Sequence, residues 1–154
     1  MSLIDDLDIL ILGCLQNNGR MSLSEISRIT CMPTSTIHDH YNRMVERGVI
    51  KKIAVILDED LCGGSVKAIV GVETGAKLYL SVAEELSKID DVTEVYGTTA
   101  EFDLMIKVQS WDDDSFRETL NDIRRIDGVE DIFISSILEV FKEEPQRLLT
   151  TSKN

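Results

Sequence analysis

Two stretches 37 residues apart, LSKIDDVTEVY (86–96) and IRRIDGVEDIF (123–133), read as near copies. Ile89 aligns with Ile126, Asp90 with Asp127, Val92 with Val129 and Val95 with Ile132. Each copy is the end of an amphipathic helix, a short turn at aspartate, then a strand. A further strand-like run precedes each helix, SVKAIVGVET before the first and FDLMIKVQS before the second. The order is strand, helix, strand, strand, helix, strand. That order predicts a split βαβ, ferredoxin-like domain whose halves are related by pseudo-symmetry. Its two helices cover one sheet face. The other face carries alternate residues of every strand, several of them apolar, and calls for a partner. A second copy of the chain is the simplest one.

The N-terminal third follows another period. Ile4, Leu7, Leu10, Ile11, Cys14 and Leu15 repeat at helical spacing. Asn17-Asn18-Gly19 ends that helix with residues that tolerate a left-handed cap. In SLSEISRIT (22–30), Ser22 and Glu25 form a capping box, and Leu23, Ile26 and Ile29 give an apolar face. Pro33 breaks the second helix. A third runs from about Thr34 to Arg47, with Ile37, Tyr41, Met44 and Val45 as its buried stripe, and Gly48 stops it. Three short helices, the last two joined by a tight turn, predict a helix-turn-helix. VIKKIAVILDEDLCGG (49–64) then reads as a strand followed by turn and linker. The expected division is 1–50 for the helix-turn-helix, 51–64 for strand and linker, 65–142 for the ferredoxin-like domain and 143–154 for a tail. The fold class is α+β.

Charge bears on what such a helix-turn-helix can do. The net charge is -12. Residues 1–50 hold four arginines and six acids, while residues 53–154 hold ten basic and 22 acidic groups. Bulk electrostatics oppose approach to nucleic acid, so any DNA contact rests on local groups at the N-terminal end. On the third helix Ser35, Thr36, His38, Asp39 and Asn42 point away from the apolar stripe, and such side chains hydrogen-bond base edges. His40, Arg43, Arg47, Lys51 and Lys52 lie where phosphate contacts fall. The competing reading is a solvated face of a protein–protein module.

Other chemistry finds little support. His38 and His40 are two apart, so on a helix they diverge by roughly 200° and cannot share one metal within a chain. The aspartates of WDDDSF (111–116) suit a helix start. Both histidines fall in the N-terminal third, and no nucleophile–base pair, GxGxxG or phosphate-binding loop is present. No catalytic residue, metal or cofactor is therefore expected. Cys14, Cys31 and Cys62 are an odd number and far apart, which is no disulfide framework. Cys14 is expected as a reduced core thiol. No apolar run approaches the roughly 20 residues that span a bilayer, and MSLIDDLDIL has acids where a signal peptide has positive charge. A cytoplasmic protein is expected. The segment VYGTTAEFDLMIKV (95–108) joins two strands through a loop of small residues. It suits a small ligand with amine and carboxylate groups, or is a plain hairpin.

Taken together, IDDLDILILGCLQNNGRMSLSEISRIT, the third helix ending in ERGVI, and the C-terminal domain resemble the Lrp/AsnC family of transcription regulators, over about Ile4 to Lys142. The resemblance implies a winged helix-turn-helix, a ferredoxin-like RAM domain, dimers formed through the sheets, and often octamers of four dimers. It also implies amino-acid effectors near a TGxxD loop, which here reads Thr99, Ala100, Glu101, Phe102 and Asp103, with Tyr96 and Thr98 as further effector-site candidates beside it. This chain departs from the family pattern at His40, where arginine is usual, at Val45, where glutamate is common, and at Pro33-Thr34, where Ser-Pro is common. Ala100 stands in place of the loop glycine, which penalises any left-handed backbone there.

The expected function is sequence-specific binding of double-stranded DNA at a palindromic site, in regulation of transcription, with an amino-acid or other small effector. His40 is expected to replace part of the missing arginine charge. The alternative is a small-molecule-sensing or assembly module with little DNA binding. An enzyme reading, by likeness to tetrapyrrole-decarboxylating relatives, would need a histidine in the C-terminal half, where this chain has none.

Overall fold

The computed structural model describes residues 4–58, 60–63, 65–99 and 101–143. They form two compact units that divide between Ile56 and Leu57.

The first unit holds three helices, α1 (Asp6–Asn17), α2 (Leu23–Thr30) and α3 (Thr34–Glu46). Both α1 and α2 start in a full capping box, Asp5 with Asp8 and Ser22 with Glu25. Each box satisfies amide groups that have no partner inside the helix. The ends differ from one another. Asn18 closes α1 in extended, not left-handed, conformation, and its side chain accepts from Arg20 N at 3.0 Å. Cys31 closes α2 in the left-handed region at φ 54°, making the tight turn into α3. Gly48, at φ 71°, lets Val49 N donate to Met44 O and so ends α3.

Ile11, Ile26, Ile37 and Met44 form the core of this unit, with Cys14 packed half-buried beside it. Leu10, Ile29 and Val45, expected inside, are instead exposed, and Tyr41 is half-buried. Three helices of 12, 8 and 13 residues enclose too little volume to bury every apolar side chain.

Residues 51–58 form no strand, which corrects the expectation for 49–57. The β-branched composition is there, but a strand needs a partner for its backbone groups. Among the described residues none pairs with it, and Val55 stands 84% exposed.

The second unit has the expected order: β1 (Val66–Thr74), α4 (Tyr79–Leu86), β2 (Val92–Gly97), β3 (Leu104–Ser110), α5 (Asp113–Arg125) and β4 (Val129–Ser136). The sheet runs β2-β3-β1-β4 and every pair is antiparallel. Ala68, Val70, Val72, Leu104, Ile106 and Val108 face Val82, Leu86, Phe116, Leu120 and Ile123 from the helices. The repeat extends to single hydrogen bonds. Val92 N donates to Ile89 O and Val129 N to Ile126 O, at 3.0 and 3.1 Å. Asp112 caps α5, as WDDDSF suggested.

The opposite sheet face carries Ile69, Gly71, Met105 and Phe133. Phe102 lies against Gly71, where a Cβ would sit 2.5 Å from its ring, and its ring centroid is 4.8 Å from that of Phe133. Leaving out the side chain at Gly71 is what makes room for this ring.

Candidate nucleic-acid interface

Helix α3 buries Ile37 and Met44 against α1 and α2, which fixes the direction of its other faces. Ser35, His38, Asp39 and Asn42 are exposed and Thr36 is half-buried. His38 Nδ1 lies 3.1 Å from Asn42 Nδ2, one turn along the same face. Arg47, Lys51 and Lys52 are exposed beyond the C-terminus of the helix.

His40 and Arg43 are placed differently from the sequence expectation of two open phosphate contacts. Arg43 Nη2 donates to Asp8 Oδ1 at 3.1 Å, to Asp8 Oδ2 at 3.3 Å and to Asp5 Oδ2 at 3.3 Å. His40 Nδ1 is 2.8 Å from Asp8 Oδ1, and 2.8 Å from Arg43 Nη2. These partners lie on α1 and its cap, not in solvent. The ring of His40, at the position where the family usually has arginine, is turned to a carboxylate of α1.

Asp8 is the centre of this cluster and only 1% exposed. Its role was missed from sequence, although a signal existed: Ile4, Asp8, Ile11 and Leu15 share one helical face. A buried acid on an apolar stripe needs a cation and hydrogen-bond donors. Asp5, Asp8 and His40 also bring three ligand-type atoms within 4.8 Å of one another. The guanidinium of Arg43 occupies that convergence and supplies the positive charge there.

Burial pushes the Asp8 carboxyl up. Hydrogen bonds from Asp5 N, His40 and Arg43, with the Arg43 charge, outweigh it and hold the group below the ordinary 3.8. A carboxylate lowered in the folded state stabilises above its unfolded pKa, and that contribution is lost as pH falls through the folded value. The first unit is expected to lose this stability as pH drops below 3.8. Asp8→Asn should lose less across that window. Melting temperatures of both proteins through an acid series measure the difference.

In the second unit, the β2–β3 connection holds the loop expected to meet an effector. Thr98 N donates to Asp103 O at 2.9 Å, and Thr98 Oγ1 donates to Phe102 O. Asp103 Oδ2 accepts from Thr74 N at 2.8 Å and from Thr74 Oγ1 at 3.2 Å, tying the loop to the end of β1. Thr99 and Glu101 are exposed. Tyr96 is exposed and donates to Glu94 Oε2, which raises its phenol pKa. Ala100 lies outside the described residues. The loop thus brings together Thr98, Phe102 and Asp103 through its own contacts, while Tyr96, Thr99 and Glu101 point outward.

Among the described residues no helix is long and apolar enough to cross a membrane. Residues 4–51 match the family described as winged helix-turn-helix DNA-binding, and residues 67–147 match the Lrp/AsnC ligand binding domain. The chain is 36% identical over 140 residues to the HTH-type transcriptional regulator FL11 of Pyrococcus horikoshii, covering 91% of this chain and 93% of that one. It is 34% identical over 141 residues to FL11 of Pyrococcus furiosus, at 92% and 93% coverage. The structure of E. coli AsnC superposes with a TM-score of 0.81 at 28% identity, covering 93% of this chain and 97% of that chain. With a helix-turn-helix before a four-stranded, two-helix ligand-binding domain, the chain belongs to the Lrp/AsnC family of DNA-binding transcription regulators.

Proposed function

We propose that α3 reads base edges through Ser35, Thr36, His38, Asp39 and Asn42, with Arg47, Lys51 and Lys52 on flanking phosphates. The observation that carries this reading is the composition of the exposed face of α3. It offers mostly uncharged hydrogen-bonding side chains, while the cation within the helix, Arg43, is held by Asp5 and Asp8. Such a face gains little from phosphate attraction and must gain from base contacts.

The helix-turn-helix of residues 1–50 binds DNA together with Lys51 and Lys52 at the start of the 51–64 connector, and 143–154 is a tail. Residues 65–142 serve an effector and assembly. An amino acid or similar small molecule binds near Thr98–Asp103, where the exposed Thr99 and Glu101 can meet it. Asp103 shapes the loop through Thr74. The protein works in the cytoplasm as a regulator, not as an enzyme, in keeping with its regulator relatives.

Self-association covers the outer sheet face around Ile69, Tyr96, Phe102, Met105 and Phe133. A dimer then presents two α3 helices to a palindromic site. Light scattering across a dilution series is expected to give the mass of a dimer or a multiple of it. A monomer at micromolar concentration would overturn the assembly. Fluorescence anisotropy with a duplex from its own upstream DNA, with and without each amino acid, tests the remainder. One amino acid is expected to shift the affinity, and no shift with any of them contradicts the effector reading.

A further inference from the structure

The Asp8 cluster raises a question that stability alone does not answer. A helix bound for DNA would gain affinity by leaving its arginine free. Here Arg43 sits one residue beyond Asn42, at the flank of the exposed face, and its side chain is 37% exposed. Its Nη2 is nevertheless held by two carboxylates, one of them almost wholly buried. His40, one turn before it, makes the same turn inward. Asp5 and Asp8 carry two negative charges against the single fixed positive charge of Arg43. The cluster therefore presents net negative charge beside the reading face.

We infer that Asp8 is a specificity-determining residue, which withholds Arg43 and His40 from DNA phosphates and so suppresses sequence-independent binding. The inference rests on the reading of α3 as the DNA-contacting helix. Phosphate contacts raise affinity for every sequence alike, whereas base contacts raise it for one. A protein that neutralises the cation on its reading helix lowers the first term and leaves the second. Discrimination improves at the expense of total affinity. The sparse positive charge of α3 is then a property of its partners on α1 as much as of its own composition.

The test uses the full chain and a mixed-sequence duplex as probe. Affinity is measured by anisotropy across a salt series for wild type, Asp8→Asn, Asp5→Asn and Asp8→Asn/Arg43→Gln. Asparagine keeps the shape and one acceptor of Asp8 but removes its charge. One freed cation adds a slope of about -0.9 in log affinity against log salt, which is roughly eightfold tighter binding at about 0.1 M salt. Asp8→Asn is expected to show that gain, and Asp5→Asn a smaller one. The double variant is expected to return to the wild-type slope, because the cation responsible is gone. An Asp8 that only props the helix would not be rescued by losing Arg43. Misfolding of Asp8→Asn would weaken binding, the opposite sign, and Asp5→Asn then carries the test, since Asp5 is exposed. An unchanged slope in both single variants overturns the inference. Reading by Ser35, His38 and Asn42 is tested by their own alanine variant, so the two failures are distinguishable.

Discussion

Ser35→Ala/His38→Ala/Asn42→Ala is expected to lose about 10³-fold in affinity for its preferred DNA site, down to the level of unrelated duplex. A good base-edge contact discriminates by about 1–3 kcal/mol, and the variant removes three of the side chains on α3 that can make one. All three are exposed, so their removal leaves no cavity. Alanine is the best helix former, which favours the helix itself. Arg47, Lys51 and Lys52 remain, so binding to unrelated duplex and its salt dependence should not move. Melting temperature should hold or rise slightly. This pattern, specific binding lost and non-specific binding kept, separates base reading from a change of fold.

The second large effect is on stability. Gly128→Ala is expected to destabilise the second unit by about 3 kcal/mol, from left-handed backbone strain of about 1–2 kcal/mol and overpacking of about 1–3. Gly128 has φ 97° and lies in the turn between α5 and β4. An added Cβ would meet Leu78 Cβ at 2.6 Å and Val82 Cγ2 at 3.0 Å. Leu78 Cβ is fixed to its backbone and cannot swing aside. Gly128 O also accepts from Gly75 N at 3.0 Å, so a shift of this turn disturbs the end of β1. A loss of this size lowers the melting temperature by on the order of 10 °C. Calorimetry measures it, and a fall of a degree or less would show that the turn has room.

Gly128 also marks where the two copies of the repeat diverge. The equivalent position in the first copy is Asp91, whose Oδ2 accepts from Thr119 Oγ1 at 2.9 Å and from Ser110 Oγ. One copy packs a helix start against a bare turn. The other ties its turn to β3 and α5 by side-chain hydrogen bonds. The shared pattern of Ile89 with Ile126 and Val92 with Val129 announced the fold, because both sequence similarity and periodicity carry it. The difference at Asp91 and Gly128 lies in tertiary contacts and could not be read from the repeat.

The same division holds elsewhere. The capping box at Ser22 and the helix stop at Gly48 were legible, since caps are local chemistry. Residues 51–58 have strand composition without a partner, and composition does not supply one. Leu10, Ile29 and Val45 obey the helical period yet stand outside, because the period gives a direction and not the size of the core. Among the site residues, Ser35, His38, Asp39 and Asn42 were readable as the outward face of α3. The partners of His40 and Arg43 lie 32 and 35 residues earlier, on Asp8. Helical spacing within α3 says nothing of them. The family pattern drew attention to His40 as a change of charge, whereas its surroundings make it part of a buried-carboxylate cluster.

The most direct test is selection of DNA from a random duplex pool by the full-length protein, run in parallel with the triple alanine variant. Wild type is expected to enrich one palindromic sequence over successive rounds, and the variant is expected to enrich none while still retaining DNA at low salt. A wild-type pool that stays random, or the same sequence enriched by both proteins, would contradict base reading by α3.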